Sequence, residues 1–345
     1  MRVPFSVLAL ALLSGPTLLA QASPMQPIVP CPSCGGLQDA SQEAFLLRAR
    51  SLLGTAPALE ATPAIAETPL QRQIRAIAAE ARGRVSVACS LPASNLDCGL
   101  DPLAHPPMQS VFKAPLAIAA LHLIEKGALR LEEPVRFLAK DRILPKTHSP
   151  LQDQFPDAEV DVPLHDLLRL AVSESDNVAA DIVLRIIGGP EVVDAYVRSL
   201  GIDGFHLEDG EHGLSRDARA QYRNWCSPAA AVELLRRLGD GSLLDPAHTR
   251  LLLDFMRESP TGPHRIKGEL PPGTIVMHKT GSSGTDKGLT SATNDIGLIV
   301  LPDGRRLAIA VFVTDSTADE ATRDAVIARI ARAAYLEGTR QKDSK

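Results

Sequence analysis

Met108-Gln109-Ser110-Val111-Phe112-Lys113 opens an apolar helical stretch, Ala114 to Glu125, and the rest of the chain is organised around it. Ser110 is predicted at the helix N-terminus, where unpaired backbone N–H groups and the positive dipole end favour developing negative charge. Lys113 follows three residues later, one turn away on the same face. A serine hydroxyl is a poor nucleophile until a neighbour takes its proton, and a lysine held beside it can take part. Alone, this spacing reads at least as well as a helix cap followed by a snorkelling lysine, because a chain of this length carries such a pair by chance.

Two further stretches change that balance. Ser175-Asp176-Asn177 is predicted on a turn between two apolar helical stripes, Leu164 to Ala171 and Val178 to Ile187. A second hydroxyl there can relay a proton to a leaving nitrogen, and an Asn amide can hold a substrate amide. Lys279-Thr280-Gly281 ends a β-rich run. It offers a charge for a carboxylate, backbone groups along a strand, and a residue that permits close approach. The N–H of Ser282 can then join that of Ser110 as an oxyanion pair. Each motif by itself is also a polar turn or a strand end. The three in this order, on helix start, interhelical turn and strand, form a specific set.

The 345 residues are 45% hydrophobic and 22% charged, ordinary globular composition. The net charge of -5 and the lack of a basic run argue against nucleic-acid binding. Arg2, the apolar run Val7 to Leu13 and Ala20-Gln21-Ala22 read as a signal peptide (residues 1–22) cleaved near Ala22. That predicts a secreted or periplasmic protein. Cys31 follows Ile28-Val29-Pro30, which lacks the small residue of a lipoprotein box, so no membrane anchor is expected. Residues 23–67 form an Ala/Pro-rich extension and 339–345 a tail. Five cysteines leave an odd one in an oxidising compartment. Cys89 and Cys98 lie on adjacent segments of a predicted hairpin and are expected to pair, leaving Cys226 free. Cys31-Pro-Ser-Cys34 reads as a local disulfide.

Thr68 and Pro69 are predicted to start the first helix and Gly83 to end it, with Arg84 to Cys89 as a strand and Leu96 to Gly99 as its return. The C-terminal part is β-rich, with Pro302-Asp303-Gly304 as a hairpin turn before a closing helix, Ala318 to Leu336. Strands at both ends with helices between predict an α/β (α+β) fold: an antiparallel sheet flanked by helices, plus an all-helical lobe. The sheet lobe takes about 68–110 and 257–338, the helical lobe about 111–256, and the cleft between them is the place for a site.

From about Thr68 to Leu336 the chain resembles the class A serine β-lactamases, with the PER and VEB types the most alike. The resemblance is carried by the three motifs and by Leu144-Pro145-Lys146-Thr147. Gln221-Tyr222-Arg223-Asn224-Trp225 and the stretch from His278 through Thr293-Asn294-Asp295 extend it. It implies attack of Ser110 on a β-lactam, an acyl-enzyme, and hydrolysis by an activated water, with Lys113 and Ser175 catalytic. Asn177, Lys279, Thr280, Gly281 and Ser282 would bind substrate, and oxyimino-cephalosporins would be accepted. Glu211, in Glu211-His212-Gly213-Leu214, matches the deacylating glutamate, with Glu208 as a rival. No metal and no cofactor are implied, and a monomer is expected. The chain departs from the family pattern in three places. Ser215 stands where Asn usually follows Leu214; Asp181 and Asn224 exchange the usual Asn and Asp; His148 stands where an aromatic often gates the site. Asp181 and Asn224 are expected to hydrogen-bond and tie down the long loop from Ile202 to Asn224. Two other readings remain: a penicillin-binding peptidase, which shares the three motifs but lacks the loop glutamate, and a non-catalytic β-lactam or peptide sensor on the same fold.

Overall fold

The computed structural model describes residues 67–144, 147–214 and 219–341. The signal-peptide, extension and Cys31/Cys34 readings, and that of Ser215, lie outside them.

Helix α1 (Pro69–Ala78) starts on a capping box. The Thr68 hydroxyl accepts from Gln71 N–H at 3.1 Å, and Thr68 N–H donates back to the Gln71 side chain at 2.9 Å. A 3-10 turn, Ala79–Ala81, extends it, and Arg82 rather than Gly83 takes the left-handed conformation that ends it (φ 47°). Gly83 serves packing instead: a Cβ there would lie 2.7 Å from the Thr314 carbonyl, so its absence lets strand β1 (Arg84–Ser90) start against its neighbour. The expected return strand is reduced to one bridge, Leu100 on Val87, and the Cys89–Cys98 disulfide closes that loop with a Cα–Cα distance of 5.8 Å. Cys226 is free and buried, and burial pushes its thiol up to about 12.

The central region carries α2 (Lys113–Glu125), β2 (Pro134–Phe137), α3 (Pro150–Gln154), β3 (Val160–Pro163), α4 (Leu164–Val172), α5 (Asn177–Ile187) and α6 (Pro190–Ser199). After these come β4 (Phe205–His206), the one-turn α7 (Glu211–Leu214), β5 (Trp225–Cys226), α8 (Pro228–Asp240) and α9 (Pro246–Glu258). This region is not purely helical. β2 pairs β3 and β4 pairs β5 in antiparallel two-stranded ladders, and the alternating burial of Pro134–Phe137 is the strand period the helical reading passed over.

The C-terminal part holds β6 (Val276–Ser282), β7 (Thr285–Asp286), β8 (Leu289–Val300), β9 (Arg306–Ser316) and α10 (Glu320–Arg340). With β1 they make one antiparallel sheet in the order β1-β9-β8-β6, β7 pairing β8 beyond β6. Both faces of this sheet are covered. Leu307, Ile309, Val311 and Val313 of β9 pack into a core with α1 and α10, while Ala308, Ala310 and Phe312 face the core of the central helices. A strand buried on both sides reads as an unbroken apolar run, which is how β9 appears in the sequence.

Helix α2 lies in the second core, and every residue from Lys113 to Leu121 is buried. Pro115 is tolerated because it falls in the first turn, where its missing N–H has no helical partner. Gly127, at φ 73°, turns the chain away after the helix.

Candidate active site

Ser110 sits not on α2 itself but on a 3-10 turn, Gln109–Phe112, that runs into it. Gln109 is left-handed (φ 49°), an uncommon conformation for a residue with a side chain. Strand β6 presses on this turn from the other side: a Cβ on Gly281 would meet the Met108 carbonyl at 2.4 Å and Gln109 Cβ at 3.2 Å. The close approach that Gly281 permits is therefore that of the serine turn itself. The turn is pinned further by Met108 N–H to the Asn224 carbonyl (3.1 Å) and by Asn294 Nδ2 to the Pro107 carbonyl (2.9 Å).

The fully buried Lys113 Nζ gathers the predicted residues. It lies 3.0 Å from Ser110 Oγ, 2.8 Å from the Ser175 carbonyl, 2.5 Å from Asn177 Oδ1 and 2.9 Å from Glu211 Oε1. An ammonium has three protons for these four acceptors, so one bond can lapse without breaking the cluster. Ser110 Oγ also reaches Glu211 Oε1 at 3.4 Å, so the serine proton has two adjoining destinations.

The Ser175-Asp176-Asn177 turn is set by its middle residue. The fully buried Asp176 carboxylate caps α5 through Ala179 N–H (2.9 Å) and also accepts from Ser149 Oγ (2.8 Å) and Leu151 N–H (2.6 Å). Ser175 is thereby held left-handed (φ 59°) with its hydroxyl toward β6, where Lys279 Nζ donates to it at 2.8 Å. Lys279 is fully buried. Burial, reinforced by the Lys113 charge and opposed by Asp295 and Glu211, holds its ammonium well below the ordinary lysine range. A lysine shifted this way beside a hydroxyl can exchange a proton with it.

Thr280 Oγ1 bonds Thr261 Oγ1 at 2.7 Å. Ser282 Oγ accepts from Arg265 Nη2 at 2.9 Å, and that buried guanidinium is fixed by Asp324 (2.8 Å) and the Asn294 carbonyl (3.0 Å). Arg265 escaped the sequence reading. It lies in an irregular segment beside another basic residue, Lys267, and only its burial against β6 sets it apart.

The loop acids separate clearly. Glu211 is buried beside Lys113, whereas the Glu208 side chain is 54% exposed and faces Arg223 (3.3 Å) and His206 (3.7 Å). The expected bond between Asp181 and Asn224 does not form. Asp181 accepts the N–H groups of Glu211 (2.7 Å) and His212 (2.8 Å). Asn224 accepts those of Glu208 (2.9 Å) and Asp209 (3.0 Å) and donates to the Asp209 carbonyl (2.8 Å). Both side chains hold the loop by its backbone, where unpaired N–H groups were waiting. Burial and the Glu211 charge push Asp181 up to about 6.

The resulting cleft has a volume of about 390 Å³, lined among others by Ser110, Asn177, Glu211, Ser282, Leu144 and Thr147. His148 is exposed, with its ring on the Glu174 carbonyl at 2.7 Å; from its segment, Leu144 and Thr147 line the cleft. Among the described residues, Glu125, Asp245 and His248 group at the start of α9, where their bonds to one another and to the first N–H groups of that helix account for them.

Residues 69–337 match the model of the β-lactamase enzyme family. The extended-spectrum β-lactamase PER-1 of Pseudomonas aeruginosa is 40% identical over 271 residues, 78% of this chain and 88% of that protein. β-Lactamase VEB-1 of the same species is 38% identical over 230 residues, 66% of this chain and 76% of that one. The crystal structure of a β-lactamase from Chitinophaga pinensis DSM 2588 superposes with a TM-score of 0.74 at 42% identity, covering 78% of this chain and 99% of its own. With the Ser-x-x-Lys turn, the Ser-Asp-Asn turn and the Lys-Thr-Gly strand converging on one cleft, this chain belongs to the β-lactamase enzyme family, in its class A serine branch.

Proposed function

We propose that the protein hydrolyses the β-lactam amide of penicillins and cephalosporins through an acyl-enzyme on Ser110, a reaction that confers resistance to those drugs. The observation that carries this is the Lys113 cluster, in which one buried Nζ lies within 3.0 Å of Ser110, Ser175, Asn177 and Glu211.

Ser110 Oγ gives up its proton to Lys113 in its neutral form and attacks the lactam carbonyl carbon. The N–H groups of Ser110 and Ser282 face the oxyanion that forms. The C–N bond then breaks, and the nitrogen takes a proton from the Ser175 hydroxyl, which Lys279 replenishes; the proton taken from Ser110 then returns from Lys113 to Lys279, so both lysines recover their starting state. Asn177 holds the acylamino side chain, and the Lys279–Thr280–Gly281–Ser282 strand receives the substrate carboxylate and backbone. Glu211 takes a proton from a water as that water attacks the ester, and Ser110 leaves with its proton restored. Glu211 marks off the penicillin-binding peptidase reading, because an ester on serine persists where no group activates water.

Likeness to PER-1, which bears the extended-spectrum name, supports acceptance of oxyimino-cephalosporins. Residues 68–338 are read as the catalytic domain of an exported, monomeric enzyme cleaved near Ala22. Among the described residues no helix is long and apolar enough to cross a membrane.

Nitrocefin turnover by the purified protein is the first test, and its absence overturns the hydrolase reading. Intact-mass analysis with a slow β-lactam should find an adduct on the Ser110 peptide, and Ser110→Ala should lose both adduct and turnover. An adduct that survives Ser110→Ala overturns the assignment.

A further inference from the structure

Gln109 carries an unused piece of chemistry. Its side-chain amide donates to Gln221 Oε1 at 2.7 Å, and Gln221 Nε2 donates onward to Ser291 Oγ at 3.1 Å. Three elements are joined by this chain of two amides and a hydroxyl. They are the left-handed residue before Ser110, the 3-10 turn Ala220–Tyr222 at the end of the long loop, and strand β8.

The placement at Gln109 matters because the Asn224 and Asn294 bonds hold the residues before it, whereas the amide bridge holds its own side chain. A left-handed conformation is strained for a residue with a Cβ, and it persists only where surroundings over-determine it. The peptide linking Gln109 to Ser110 supplies the Ser110 N–H, so relaxation of Gln109 rotates that N–H. On the β6 side the packing is close, since Gln109 Cβ stands 3.2 Å from where a Cβ on Gly281 would be. The amide bridge holds the side chain from the loop side. Ser291 lies on β8 between Thr290, which pairs with Thr285 of β7, and Ala292, whose N–H donates to the cleft-lining Ser283, and so anchors the bridge to the sheet.

We propose that Gln221 is a positioning residue for acyl transfer: its two-ended amide fixes Gln109, and through Gln109 the Ser110 N–H that receives the oxyanion. This rests on the β-lactamase reading. It also predicts a kinetic signature that a loop anchor would not give. An oxyanion donor acts on the tetrahedral species of both acylation and deacylation, so its misplacement slows both steps together. kcat then falls while KM stays, because KM depends on the ratio of the two steps. If Gln221 merely steadied the loop bearing Glu211, only deacylation would slow, the acyl-enzyme would accumulate, and KM would fall with kcat.

The test uses the intact protein, with Gln221→Met and Gln109→Met as near-isosteric variants that lack the bonds. Acylation and deacylation rate constants for nitrocefin and benzylpenicillin are measured separately by rapid mixing. Gln221→Met should slow both steps by about 10-fold or more with KM unchanged within about twofold. Gln109→Met should match it, and the double variant should be no worse than either single one, because one bridge is broken in all three. Ser291→Ala should give a smaller loss of the same kind. Thermal melting of each variant separates these effects from unfolding. A fall in deacylation alone, an additive double variant, or wild-type kinetics in folded Gln221→Met each overturns the proposal. Absence of turnover in the wild type would instead remove the reading on which it stands.

Discussion

Ser110 and Glu211 meet at 3.4 Å, yet the regions that deliver them are held by different physics. The serine turn leads into a helix buried on all sides through Leu121, where each large apolar side chain contributes about 1.5–3 kcal/mol on leaving water. The glutamate rides on one turn of helix in a long irregular loop. Five hydrogen bonds from Asp181 and Asn224 secure it, each worth about 0.5–1.5 kcal/mol net. The half of the site that forms the ester is packed in place; the half that destroys it is tethered. Damage to the tethers should therefore appear as slow turnover in a protein that still folds and still acylates.

The largest break in that comparison is Glu211→Gln, which keeps the shape of the loop and removes its basicity. Turnover should fall by about 10²–10⁴-fold while mass spectrometry finds the acyl-enzyme accumulating. If Glu208→Gln traps the adduct instead, the geometric separation of the two acids has been misread as chemistry.

Asp181→Ala removes the acceptor for two N–H groups at the start of the Glu211 turn and should cut deacylation by about 10-fold, with acylation spared. Asp181 also couples the tether to pH. Its native value, pushed up to about 6 from 3.8, means that the folded state binds its proton more tightly than the unfolded state. The contribution of this group to stability therefore falls as pH rises from about 4 to about 6. Melting temperature measured across that window should decline less steeply with rising pH in Asp181→Asn than in wild type. An identical slope would remove Asp181 from the account.

Asn224→Asp sharpens the comparison further. The two N–H groups keep an acceptor, but the donor to the Asp209 carbonyl becomes a repelling oxygen. Deacylation should fall several-fold, with melting hardly changed. Smallest in its effect on activity is Cys89→Ser. It opens a short loop remote from the cleft and should lower stability by about 2–3 kcal/mol with kcat unaltered.

Much of this is legible in the sequence, for identifiable reasons. The Ser110, Ser175 and Lys279 stretches declare themselves because backbone position and side-chain chemistry travel together in a short window. Glu211 was separable from Glu208 only by resemblance, and burial decides between them. Arg265 and the Gln109–Gln221–Ser291 bridge were invisible because they join residues that only the packing of loop on sheet brings together. The Asp181–Asn224 pairing was expected from complementary side chains. Backbone N–H groups, which no sequence displays, claimed both partners instead. The small ladders β2–β3 and β4–β5 were missed because two- to four-residue strands carry too little periodicity to register.

Strand β9 has a consequence for how the molecule opens. It pairs with β1 on one side and β8 on the other, and its alternate side chains belong to two separate cores. Solvent cannot reach its amides by the release of either layer alone, since the remaining layer and both neighbouring strands still cover them. Deuterium should therefore enter β9 only when the whole sheet comes apart, making it a clock for global opening, while the amides of the Glu211 loop exchange on a much faster one.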